Sequence, residues 1–133
     1  MRELITGADG FAGSHLAEHL LQNTDHEVWG CGISPSPTIT ANRQLPHRRL
    51  DLTDAAATSD YITEIQPERI YHLAGQPAVH ASWLEPWKTY EANVLAVLNV
   101  VHAVWRLKLS CRVMVVTSME VYGDVRPEDM PVT

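Results

Sequence analysis

Apolar and polar positions along the chain follow two rhythms that take turns. Short runs, Glu3–Thr6, Glu27–Ile33, Arg69–Ala74 and Arg112–Thr117, the last apolar on both faces, read as strands of a parallel sheet, with Arg48–Leu50 as a further short strand. Between them the spacing changes to three and four. Leu16, Leu20 and Leu21 predict a helix from about Gly10 to Gln22. Thr53 or Asp54 offers a cap for a second helix, which runs to Ile65 and stops before Pro67. Tyr90, Val94, Val97, Leu98, Val101 and Trp105 predict a long amphipathic helix over Pro86–Lys108. Strands that alternate with helices in this way make an α/β fold, a doubly wound parallel sheet joined by right-handed crossovers. There is no internal repeat or charge run, and Ser34-Pro35-Ser36-Pro37-Thr38 reads as an extended loop.

Composition narrows the function classes. The 133 residues suit one domain. Sixteen acidic against ten basic residues give a net charge of −6, which argues against a nucleic-acid binder. No stretch reaches the ~20 apolar residues of a membrane span, and Met1–Arg2 leads straight into a glycine-rich motif with no room for a signal peptide. Cys31 and Cys111 are too few for a disulfide framework or a cysteine-based metal site. The expectation is a reduced, cytoplasmic enzyme or binding domain.

The chemistry begins at Thr6-Gly7-Ala8-Asp9-Gly10-Phe11-Ala12-Gly13, which follows a strand and opens a helix. In that context Gly7 permits a tight turn, Gly10 lets backbone approach a pyrophosphate, and Gly13 lets the helix lie close to the sheet. Backbone N–H groups at Phe11 and Ala12, at the positive end of the helix, would then hold the phosphates. A dinucleotide site is therefore expected on a Rossmann-like fold.

The spacing is G-x-x-G-x-x-G. Together with Tyr71-His72-Leu73-Ala74-Gly75-Gln76-Pro77-Ala78-Val79, Asn93-Val94 and Thr117-Ser118-Met119-Glu120-Val121-Tyr122-Gly123, it resembles the extended short-chain dehydrogenase/reductases, the nucleotide-sugar epimerase and dehydratase family. The resemblance spans the chain in order. It implies that Asp51 and Leu52 sit on the adenine. It further implies that Leu73, Ala74 and Gly75 line the ribose and nicotinamide side, with Gln76 close by, and that Asn93 supports the pocket from the long helix. Read structurally instead, Leu73 and Ala74 are buried strand residues and Asp51 caps the next helix, whereas an amide on an apolar helix face needs partners. Ser118 would hydrogen-bond the sugar oxygen that is oxidised or reduced, and Glu120 would be the base that removes a proton beside a 4-keto group. Met119 stands where some dehydratases place an acid. That departure weakens a dTDP-glucose-type dehydratase, and the run from Glu120-Val121-Tyr122-Gly123 through Pro127-Glu128-Asp129 most resembles the branch of GDP-mannose dehydratases and GDP-4-keto-6-deoxymannose reductases, hence a GDP-sugar substrate; the family implies a homodimer. The alternative is a non-catalytic NAD(P)-binding module on the same fold.

The end of strand two separates NAD from NADP. NAD users tend to carry an acid there for the ribose hydroxyls, and this chain has Gly32. With nothing negative to repel a 2′-phosphate, and with Ser34, Arg43, Arg48 or Arg49 within reach, NADP is favoured over NAD. His15-Leu16-Ala17-Glu18-His19 matches a zinc-protease pattern, H-x-x-E-H, but in the wrong context, and no metal is expected. The family's Tyr-x-x-x-Lys pair should follow Gly123. Tyr122 is followed four residues on by Arg126, which cannot take the lysine's role. The expectation is that residues 1–133 are the N-terminal portion of a longer enzyme, truncated after the fifth strand and inactive alone.

Overall fold

The structure, a computed structural model, describes residues 1–34 and 45–131 and, among these, every side chain but those of Met119 and Glu120. Most of the proline loop, Arg43 and the Glu120 carboxylate therefore lie outside the described parts. Five parallel strands, β1 (Arg2–Thr6), β2 (Glu27–Gly32), β3 (His47–Arg49), β4 (Arg69–His72) and β5 (Arg112–Val115), form one sheet in the order β3-β2-β1-β4-β5. Thr6 pairs with Cys31 on one side and His72 on the other, so the strands end nearly level. The helices are α1 (Phe11–Asn23), α2 (Ala55–Ile65), α3 (Val79–Leu84), α4 (Pro86–Tyr90) and α5 (Ala96–Arg106), the last two joined by a π-helical turn, Glu91–Leu95. The doubly wound α/β fold is the expected one. Helix α3 is new, too short to show a period in the sequence.

Successive side chains on a strand face opposite ways, and this splits the core in two. Leu4 and Ile70 pack with Tyr61, Ile62 and Ile65 of α2 and with Ala96, Val100 and Ala103 of α5. Ile5 and Val28 pack on the other face with Ala17, Leu20 and Leu21 of α1. A fully buried aliphatic side chain stabilises by about 1.5–3 kcal/mol. Of the two caps offered, Asp54 starts α2 by accepting a hydrogen bond from the Ala57 N–H. Gln66, at φ 52°, ends that helix in the left-handed conformation ahead of Pro67.

The large apolar stripe of the long helix faces outward: Leu98 is 58% exposed and Trp105 72%, while Ala96, Asn99, Val100 and Ala103 are buried. The helix carries two apolar faces, and the one with smaller side chains meets α2 and the sheet. Strand β5 is apolar on both faces but lies at the sheet edge, with Met114 47% and Val116 56% exposed. Strand β4 also ends at His72, so Leu73 and Ala74 belong to the loop after it and are half-buried.

Candidate functional site at the strand ends

Strands β2 and β3 lie to one side of β1 and β4 and β5 to the other, so the connections diverge at the carboxyl ends of β1 and β4. In open α/β sheets that point is where a crevice forms. Its floor is the glycine-rich turn. Gly7 has φ +71°, and an added Cβ there would stand 2.8 Å from the Ala74 nitrogen, so only glycine lets the two loops touch. A Cβ on Gly13 would lie 2.1 Å from the Gly7 carbonyl oxygen. At Gly10 an added Cβ would meet only the Gly7 carbonyl oxygen, at 3.2 Å, a tight contact but not the overlap seen at Gly13. Gly10 is the N-cap of α1 and provides no side-chain cap, and the first turn holds no acid. The N–H groups of Phe11, Ala12 and Gly13 thus lack partners within the helix, and Phe11 and Ala12 are exposed.

On the β4 side, Thr6 Oγ1 pairs with His72 Nδ1 at 3.0 Å and accepts from the Ala74 N–H. Burial holds the His72 imidazole below its ordinary pKa. Asn93, in the π turn, accepts from the Gln76 N–H at 2.7 Å and donates to the Gln76 carbonyl at 3.1 Å. The amide has the partners its chemistry demands, although the residue is exposed and not buried in an apolar face. Gly75 lies beneath it: a Cβ there would be 3.0 Å from Asn93 Oδ1. The Gln76 side chain is itself tied to Ala78 and Thr89. Leu73, Ala74, Gly75, Gln76 and Asn93 therefore form one connected wall.

On the opposite side, Asp51 accepts from the Thr53 N–H and hydroxyl at 2.9 and 2.8 Å, holding a turn that Asp54 then caps. Leu52 is buried. Asn99, which sequence reasoning passed over, reaches from α5 to donate to the carbonyls of Leu52 and Thr53 at 2.8 and 3.1 Å. A lone amide on the buried helix face was the available signal. At the end of β2 the structure changes the premise for NADP. The Asp9 carboxylate stands beside Gly32: a Cβ added at Gly32 would be 1.8 Å from Asp9 Oδ1. Asp9 Oδ2 accepts from the Ser34 N–H at 2.8 Å. Partial burial works to raise this carboxyl's pKa, but hydrogen bonds from Ser34 and from its own backbone N–H, with the His47 charge, together hold the value below the usual range. Arg48 is paired with Glu64 at 2.6 Å and lies over the Tyr61 ring.

Ser118 is exposed just beyond β5, and its carbonyl accepts from the Val121 N–H. Tyr122 is 53% exposed, and Arg126 pairs with Glu128 at 3.7 Å. His15 bonds the Phe11 carbonyl and His19 approaches Asn23 along the same helix. Among the described residues no three His, Cys, Asp or Glu side chains cluster as metal ligands would. No described helix is long and apolar enough to cross a membrane.

The GDP-mannose 4,6 dehydratase family model matches residues 4–133. UDP-glucuronic acid decarboxylase 3 of Arabidopsis thaliana is 32% identical, over 93% of this chain and 35% of its own length. GDP-6-deoxy-D-mannose reductase of Pseudomonas aeruginosa is 30% identical, over 98% of this chain and 38% of its own length. Among solved structures, the Thermus thermophilus UDP-glucose 4-epimerase complex with NAD superposes with a TM-score of 0.73 at 31% identity, over 82% of this chain and 35% of that one. The chain thus spans little more than a third of the length of these relatives.

Proposed function

Because the chain belongs to the GDP-mannose 4,6-dehydratase family of nucleotide-sugar enzymes, we propose that it is the dinucleotide-binding part of an enzyme that oxidises or reduces a nucleotide sugar, with GDP as the sugar's carrier. The observation that carries this reading is the turn from Gly7 to Gly13. It is closed against the β4 loop, bare of side chains at Gly10, and followed by an uncapped helix start. A diphosphate fits that surface, because the N–H groups of Phe11 and Ala12 are the donors it needs. The nicotinamide, when bound, supplies a hydride acceptor or donor. Asp51 and Leu52 would hold the adenine, and Leu73, Ala74, Gly75, Gln76 and Asn93 would bound the other half of the dinucleotide. Ser118 would donate to the sugar oxygen at the reacting carbon, and Glu120 would take the proton from the neighbouring carbon.

The NAD of the epimerase complex supports an adenine dinucleotide. The family model and the reductase relative support GDP. The decarboxylase relative, named for a UDP-sugar, makes UDP the competing carrier in any assay. Calorimetric titration of the chain with NADH and NADPH tests the first half of the reading, with binding of at least one expected. Turnover of GDP-4-keto-6-deoxymannose or GDP-mannose, compared with UDP-sugars, by the enzyme that contains residues 1–133 tests the second. Activity confined to UDP-sugars would overturn the choice of carrier.

A further inference from the structure

We propose that Asp9, carried by the glycine-rich turn, replaces the missing strand-β2 acid: its carboxylate accepts the ribose hydroxyls of a bound adenine dinucleotide and excludes a 2′-phosphate, so the chain selects NAD(H) over NADP(H). The inference rests on the dinucleotide reading above and goes beyond it, because that reading leaves the two cofactors equal.

Steric fit and charge both carry the argument. A side chain at position 32 would have to occupy the space that Asp9 fills, with Oδ1 at 1.8 Å and Cγ at 2.3 Å from an added Cβ. Gly32 and Asp9 are therefore complementary: the strand gives up its side chain and the turn supplies a carboxylate in its place. The carboxylate is also fixed. Oδ2 is held by the Ser34 N–H at 2.8 Å, which leaves Oδ1 in the space at the end of β2. Ser34, Arg48 and His47 offer a phosphate little, and Arg49, level with Gly32 on β3 and exposed, is the one described cation nearby that could still meet it. The Ser34 N–H is already donated to Asp9, and the Arg48 guanidinium is held by Glu64 at 2.6 Å. The His47 imidazole, which senses the Asp9 charge, is kept below its ordinary pKa by burial and is neutral at pH 7. A carboxylate accepts from hydroxyls and repels a phosphate, so one group gives both the attraction and the exclusion that specificity requires.

Asp9→Asn separates this role from a purely structural one. Asparagine keeps an oxygen to accept the Ser34 N–H and removes the charge. With the unaltered full chain, calorimetry should show NADH binding at least about tenfold more tightly than NADPH. In Asp9→Asn the two affinities should converge to within about threefold, chiefly through a gain for NADPH. A carboxylate that merely stapled the turn would weaken both cofactors by the same factor on substitution, and that result would overturn the proposal. Equal or better binding of NADPH by the unaltered chain would overturn it alone, while binding of neither dinucleotide would overturn the dinucleotide reading and take this inference with it. Displacement of NADH from the unaltered chain by ADP but much more weakly by 2′,5′-ADP is the expected companion result, and it does not depend on any variant folding. Equal displacement by the two would count against Asp9 as decisively.

Discussion

Gly10 and Gly13 sit three residues apart in one turn, yet their surroundings assign them different physical tasks. An added Cβ at Gly13 would run into the Gly7 carbonyl, which is backbone and cannot swing aside, whereas at Gly10, in an ordinary extended conformation, it would meet that carbonyl only at 3.2 Å. Gly13→Ala is therefore expected to lower stability by about 1–3 kcal/mol or more in urea unfolding, the scale of an overpacked site. Gly10→Val is expected to fold with a smaller loss of stability than Gly13→Ala and to lose dinucleotide binding, because its branches fill the space a pyrophosphate needs. Unchanged affinity of folded Gly10→Val in calorimetry would contradict that use of the turn. The cysteines differ in the same way. Burial, with the Asp9 charge adding to it, pushes the Cys31 thiol up to about 12, and burial raises half-buried Cys111 less far. A thiol reagent at pH 8 should modify Cys111 first and reach Cys31 only on unfolding, since only the thiolate reacts.

Between elements, two asparagines hold loops that no strand or cap holds. Asn99 ties α5 to the carbonyls of Leu52 and Thr53. Asn99→Ala removes a donor from both carbonyls, leaving Leu52's with only the Thr58 hydroxyl at 3.3 Å, and should cost about 1–3 kcal/mol in urea unfolding. Asn93 does the same for Gln76 from the π turn, where the extra residue in the helix re-aims the side chain. Histidines between strands add a pH dependence. His72 and His47 both have pKa values lowered by burial, so the folded chain binds fewer protons than the unfolded one in mild acid. Their contribution to stability is present above the ordinary imidazole pKa of about 6.5 and is lost as pH falls from there through the folded values. The urea midpoint should fall between pH 7.5 and pH 5.5, and His72→Gln should flatten part of that slope.

At the scale of the whole molecule, the described residues leave apolar surface open in two places. One runs over the helices α3, α4 and α5, with Trp83, Trp87 and Trp105 at 81%, 80% and 72% exposure; the other is the edge strand β5. An unpaired strand edge and a contiguous apolar face both favour association, so sedimentation of the chain alone should show concentration-dependent self-association. The chain contains no lysine after Tyr122, and Arg126 is paired with Glu128. With no Tyr-x-x-x-Lys pair among them, residues 1–133 alone are expected to turn over no nucleotide sugar above background. In the enzyme that contains them, Ser118→Ala should lower turnover by ~10²–10³-fold, the loss of one donor to a developing oxyanion, with cofactor affinity little changed.

The local constraints were legible in the sequence. Strand and helix periods, the Asp54 cap and the glycine spacing are set by neighbours a few residues apart, and the doubly wound sheet follows from their order. Only tertiary structure decided which apolar face of the long helix went inward, because Tyr90–Trp105 offered two and packing on α2 took the smaller side chains. The same holds for the acid at the end of β2. Gly32 reads from the sequence as an empty position, and only the folding of the first turn across it brings the Asp9 carboxylate into the vacated space. Asn99 likewise meets Leu52 across 47 residues of chain. Periodicity records which residues share an element. It carries no record of which side chains from different elements compete for the same few ångströms, and there only the packed structure supplies the answer.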